Sequence, residues 1–120
     1  MIEIKLTIDD EGIVKADVLG DDSCEQLDIE EYLIPVVDAL QKYIVRKDEY
    51  GDSWKLPDFP HLEAIMNALV CLVKAKRVCH MLDKSVKGEV SKDYKQLVTN
   101  SVDLMNYTNF LLQSIKKTVK

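Results

Sequence analysis

Along the first twenty residues the apolar positions alternate strictly. Ile2, Ile4, Leu6 and Ile8 are separated by polar residues, and Val14, Ala16 and Val18 repeat the pattern after Asp9-Asp10-Glu11-Gly12. A period of two puts both apolar rows on one face of a β-hairpin over residues 1–20, with Gly12 free to take the positive φ that a bulged loop requires. Two strands alone are marginal in water, so that face must lie on helices or pair with a hairpin from another subunit.

From there the apolar spacing changes to that of a helix. A linker, Gly20-Asp21-Asp22-Ser23, precedes Asp28 and Glu31, which have the spacing of a capping box, and Leu33, Val37, Leu40 and Ile44 follow on one face. Pro35 lies inside this segment and predicts a kink or a restart, because proline removes a donor and crowds the preceding turn. The helix is expected to end near Lys47.

Residues 48–60, with Gly51, Pro57 and Pro60, read as the one substantial loop. A second helix is expected from an Asp58 cap, with Pro60 in the first turn, to about Lys84. One side of it carries Leu62, Ile65, Met66, Leu69, Leu72 and Val73, then Lys76, His80 and Asp83. Residues 85–90, including Gly88, interrupt the pattern. Ser91 can cap a third helix whose buried stripe is predicted to be Tyr94, Leu97, Val98, Leu104, Met105, Leu111, Leu112 and Ile115.

The fold class is therefore α+β, mainly α: one domain over residues 1–120, with a hairpin at 1–20 and a helical bundle at 28–118. Two of the helices, of about 25 residues each, are roughly 37 Å long, and all three are long enough to carry apolar stripes. Together with the hairpin they leave one apolar side uncovered, and a homodimer completing a four-helix or larger bundle is expected.

Composition narrows the class further. At 120 residues with 47% hydrophobic and 31% charged positions, the chain is neither disordered nor membrane-spanning, and two enzyme domains are excluded. The start, Met1-Ile2-Glu3-Ile4-Lys5, lacks the basic and apolar regions of a secretory signal, which points to the cytoplasm. Cys24, Cys71 and Cys79 are odd in number and lack CxxC spacing, so they encode neither a disulfide framework nor a zinc site, and reduced, buried thiols are expected.

The net charge of −5 is unevenly distributed. Residues 1–31 hold eleven acids against Lys5 and Lys15, a balance of −9, and residues 32–120 carry +4. The acidic part is either a solvated hairpin that attracts the helices of its own fold or a surface for a basic partner. The +4 remainder has no Arg-rich helix, so direct nucleic-acid binding is not expected.

Chemistry-bearing residues fall into two helical stripes and one loop. Glu63, Asn67, Lys74 and Arg77 share one side of the second helix, and Thr99, Asp103, Asn106, Tyr107 and Phe110 one side of the third. If the stripes face each other, Glu63 and Asp103 could hold a divalent cation while Lys74 and Arg77 meet phosphate oxygens; the plainer reading is an interhelical ion pair. In Glu49-Tyr50-Gly51-Asp52-Ser53-Trp54 an aromatic could stack on a base and Asp52 could cap a helix or ligate metal, or the two rings could plug the end of the bundle. His61 and His80 lie nineteen positions apart and cannot form a metal pair on one helix, and His80 beside Cys79 points about 100° away from it.

Three segments carry a family resemblance: Tyr50-Gly51-Asp52-Ser53-Trp54, Leu72-Val73-Lys74-Ala75-Lys76-Arg77 and Asp103-Leu104-Met105-Asn106-Tyr107. Over residues 43–112 the chain resembles the nucleotide modification associated domain 1 family, small helical proteins of phages and prophages. It looks more distantly like the all-α MazG-type nucleotide pyrophosphohydrolases, whose carboxylate-lined helices bind magnesium and a nucleoside triphosphate. The resemblance implies Asp52, Lys74, Arg77, Asp103, Asn106 and Tyr107 as the site. With the loop aromatics Tyr50 and Trp54 added, nucleotide binding is expected at Tyr50, Asp52, Trp54, Lys74, Arg77, Asn106 and Tyr107, and a magnesium ion at the stripe carboxylates Glu63 and Asp103. Thr99 stands where the family often has an acid. Three functions follow as expectations: binding of a nucleotide or a nucleotide-handling partner, magnesium-dependent pyrophosphohydrolysis, and a non-catalytic interaction through the acidic hairpin.

Overall fold

A computed structural model describes residues 1–20, 24–52, 54–87 and 94–119, without the side chains of Cys24, Tyr50 and Ser85. The order of elements is β1 (Glu3–Ile8), β2 (Val14–Leu19), α1 (Cys24–Tyr50), α2 (Pro60–Val86) and α3 (Tyr94–Thr118), an antiparallel hairpin followed by three helices. This is the mainly helical α+β class that the spacing predicts. Residues 21–23 of the expected linker, Ser53 of the loop, and Gly88 and the Ser91 cap lie outside the described residues. Among the described residues no helix is long and apolar enough to cross a membrane. Contacts gather into two compact units, Met1–Gly51 and Asp52–Lys120.

In the first unit the strands pair with Ile4 opposite Val18, Leu6 opposite Ala16 and Ile8 opposite Val14, so the apolar rows share a face as their alternation requires. The turn closes through Asp9: its carboxylate Oδ1 accepts the N–H groups of Glu11 and Ile13, each at 2.9 Å, and Gly12 sits at φ 82°. α1 fastens the hairpin with side-chain amides. Gln41 Oε1 accepts the Val14 N–H at 2.8 Å while its Nε2 donates to the Gly12 carbonyl at 2.8 Å. Further along the same helix, Gln26 Nε2 donates to the Val18 carbonyl at 3.2 Å. Among the described residues, the buried apolar ones of this unit are Val14 and Ala39.

α1 departs from expectation at both ends and in its middle. It opens at Cys24, so Asp28 and Glu31 lie within it and do not cap it, and it runs through Pro35 without interruption. It continues to Tyr50, where Gly51, at φ 64°, donates its N–H to the Lys47 carbonyl at 2.8 Å and closes the helix in the left-handed conformation glycine favours.

The second unit is a helical hairpin of α2 and α3. Pro60 is the first helical residue, where its missing N–H is not needed, and the N–H of Glu63 bonds the Phe59 carbonyl at 2.9 Å. The cap is thus Phe59, one position after the predicted Asp58.

The faces that meet are the main correction. The stripe predicted to be buried on α2 is half open: Leu62 is 47% exposed and Ile65 57%, and Met66, Leu69, Leu72 and Val73 lie in the same range. On α3, Tyr94, Val98, Met105, Leu112 and Ile115 are also exposed. Of the thiols expected to be buried, Cys71 is only half-buried and Cys79 is exposed. Glu63, Asn67, Asn100, Asp103 and Ser114 are buried instead, with Phe110 the buried apolar residue of this unit. The helices join along their polar stripes because those stripes carry mutually satisfying donors and acceptors, which pair at less cost inside than unmatched polar groups would.

Candidate functional site

The α2–α3 seam runs antiparallel as a ladder of side-chain contacts. At its first rung Glu63 is fully buried and accepts from the Ser114 hydroxyl, from the Leu56 N–H at 2.8 Å and from Lys117 Nζ at 3.2 and 3.3 Å. Asn67 Nδ2 donates to Ser114 Oγ at 3.1 Å, and Cys71 Sγ meets Thr108 Oγ1 at 3.7 Å. Then Lys74 Nζ donates to Asp103 Oδ2 at 3.1 Å, with the two side chains 18% and 3% exposed. At the far end Asn100 Nδ2 lies 3.9 Å from Met81 Sδ and donates to the Gln96 carbonyl at 2.9 Å.

Electrostatics at Glu63 is a balance of opposed effects. Burial alone would raise its carboxyl pKa, but the hydrogen bonds from Ser114, Leu56 and Lys117, with the charge of Lys117, together hold it below the ordinary carboxylate value. The group is therefore an anion locked among donors. Its oxygens are already occupied.

An aromatic cluster covers the same rung. Trp54 stacks flat on Phe110, with ring centroids 4.2 Å apart and planes 6° from parallel, and Tyr107 meets Phe110 edge-on at 5.4 Å and 76°. Lys55 Nζ and Lys117 Nζ stand 5.3 and 5.4 Å from the centre of the Trp54 ring. The Trp54 Nε1–H is buried and has no acceptor among the described residues.

Of the residues expected to form a site, the fold brings Lys74 directly to Asp103, and Trp54 to Tyr107 through Phe110. Arg77 follows one helical turn after Lys74, with its side chain exposed, and Asn106 lies half-buried one turn after Asp103. Asp52 stays in the loop, 3.6 Å from Lys55. The Tyr50 side chain is outside the described residues. Glu63 and Asp103 do not come together within the chain: Asp103 sits opposite Lys74, eleven residues or about 16 Å along α2 from Glu63. A single cation held by both, as the stripes suggested, is therefore not what this hairpin forms. Among the described residues no three His, Cys, Asp or Glu side chains gather as metal ligands would.

Sequence reasoning did not single out Ser114 and Lys117. The signal was the continuation of the third-helix stripe from Asp103 through Phe110 to Ser114, at steps of seven and four, which keeps one helical face for three turns. Gln41 was missed as well, because an amide on a helix reads as surface until its backbone partners are known.

Elsewhere, β2 and α1 line an open groove of about 650 Å³ whose lining includes the apolar Leu33, Ile34 and Val37, the acids Asp17, Glu30 and Asp38, and the cation Lys5. Compared with family models, with curated proteins and with solved structures, the chain matches none.

Proposed function

We propose that this protein is a homodimer that binds a nucleotide, or a protein that handles one, along the α2–α3 seam. The observation that carries the reading is the contact of Lys74 with Asp103 at 3.1 Å, with exposed Arg77 one turn beyond, which puts two of the three motif segments in register. The third segment supports it through Trp54, whose indole N–H has no acceptor among the described residues and whose ring shares the cluster with Tyr107. A phosphate at this seam would take hydrogen bonds from the Arg77 guanidinium and compete with Asp103 for Lys74. The half-open apolar stripe of α2 supports the dimer, since a second copy covers it at no cost to the seam.

Thermal shift with nucleotides, with and without magnesium, tests the binding. A nucleotide at one hundred times its dissociation constant stabilises by about 2.7 kcal/mol, and Arg77→Ala is expected to abolish that shift while the unliganded midpoint stays put. No shift with any nucleotide would overturn it. Light scattering tests the dimer, for which twice 13.7 kDa is expected at micromolar concentration.

A second reading rests on a different observation, the acid-bearing groove lined by β2 and α1. In it the chain is a non-catalytic interaction protein that docks a basic amphipathic segment, and binding weakens as salt rises. Pyrophosphohydrolysis draws less support, because Glu63 is spent on Ser114, Leu56 and Lys117 and lies far from Asp103.

A further inference from the structure

β1 is exposed over its whole length, and its outer edge is open. In the turn the N–H of Asp9 bonds the Ile13 carbonyl at 3.1 Å, so odd-numbered residues of β1 face β2 with their backbone groups. The Val14 N–H and Val18 carbonyl agree, turning away from β1 to Gln41 and Gln26. It follows that the N–H and C=O groups of Ile4, Leu6 and Ile8 point outward from the edge, with no partner among the described residues. Their side chains are 52%, 53% and 53% exposed. β2 is treated differently, since two of its outward groups are capped by α1 amides. An exposed, apolar and uncapped edge is a template for another strand.

We propose that this edge pairs with the β1 edge of a second copy, antiparallel about a twofold axis, to make a four-stranded sheet in the order β2-β1-β1-β2. Charge selects the register. With Ile4 opposite Ile4 of the second copy, Leu6 falls opposite Ile2, and Glu3 faces Lys5 twice across the polar face. Sliding by one residue per strand puts Lys5 against Lys5, and sliding by two puts Glu3 against Asp9. Opposite charges directly across a sheet stabilise it and like charges do the reverse, so the first register is preferred. It also completes the apolar face, because Ile4 already pairs with Val18 and the row becomes Val18, Ile4, Ile4, Val18. The contact is isologous and closes on itself.

Cysteine cross-linking in the full chain tests the register without depending on the nucleotide reading or on the α2 face. With Cys24, Cys71 and Cys79 replaced by serine, Ile4→Cys is expected to oxidise to a disulfide dimer, because directly opposed residues lie about 5.5 Å apart between Cα atoms. Leu6→Cys is expected to stay unlinked: its copies would be about 13 Å apart, past the reach of a disulfide. Cross-linking at neither position, or preferentially at position 6, would overturn the proposal. Charge exchange supplies the second measurement, in the Ile4→Cys chain. Glu3→Lys and Lys5→Glu each place like charges across the axis and are expected to lower the cross-linking yield about tenfold, whereas their equimolar mixture restores Glu–Lys pairing in the heterodimer. Mass spectrometry should then find heterodimer in about tenfold excess over either homodimer; a statistical mixture would sink the register.

Discussion

The two units solve the same problem by opposite means. In the first, neutral amides on α1 bind backbone groups of the hairpin, and the apolar face of β1 is left open. In the second, charged and hydroxyl side chains bind one another between two helices, and the apolar stripe of α2 is left open. Each unit thus uses polar groups for its own closure and leaves hydrophobic surface exposed. The difference lies in what each joint tolerates: an amide on a backbone leaves a neutral group when it is cut, whereas a cut at Glu63 or Asp103 strands a charge or its donors.

Phe110→Ala should produce the largest effect. It removes the ring on which Trp54 stacks and against which Tyr107 packs, a buried apolar side chain of the seam, 8% exposed. A loss of about 3–5 kcal/mol in unfolding free energy is expected from urea titration. A loss below about 1 kcal/mol would mean that the polar ladder alone holds α2 to α3.

Glu63→Ala comes next. It leaves the Ser114 hydroxyl and the Leu56 N–H without their acceptor, while Lys117, 41% exposed, can turn to water. The loss expected in the same titration is about 2 kcal/mol, less than for a pair buried on both sides. The carboxylate also gives the unit a pH signature. Because its folded pKa lies below the unfolded value of 4.5, the stabilisation is present above that pH and is lost as pH falls through the lower, folded value. Thermal midpoints from pH 7 down to pH 2 should therefore drop in the acid range, and Glu63→Gln should flatten the drop.

These predictions bear on how far the sequence could be read. The hairpin and its register follow from alternation at Ile2 through Val18, and the helices from spacing, because period is a local property of the chain. Helical projection also put Lys74 and Asp103 on stripes that could meet, and they do. What projection does not contain is which face of α2 meets which face of α3. Hydrophobicity favoured Leu62, Ile65 and Leu69, and the helices joined through Glu63, Asn67 and Ser114 instead. That choice depends on pairing between residues about fifty positions apart, and no window along the chain scores it.

The smallest effect is the most selective probe of the contrast. Gln41 both accepts, from the Val14 N–H, and donates, to the Gly12 carbonyl, each at 2.8 Å, and an ionised carboxylate can do only the first. Gln41→Glu should therefore cost about 1–2 kcal/mol at pH 7, where an anion faces the Gly12 carbonyl. Once protonated, the acid regains a donor and imitates the amide. Its folded pKa is then raised above the unfolded value, so stability is full below the unfolded pKa and is lost as pH rises through the folded one. The first unit of that variant should gain stability on acidification above the unfolded carboxyl pKa, before the second unit begins to lose it below pH 4.5. Hydrogen exchange on β2 and on α3 amides, followed from pH 7 to pH 2, should separate the two trends. Parallel trends would show that Gln41 contributes only an acceptor, and that its donated bond to the Gly12 carbonyl adds nothing to the hold on the hairpin.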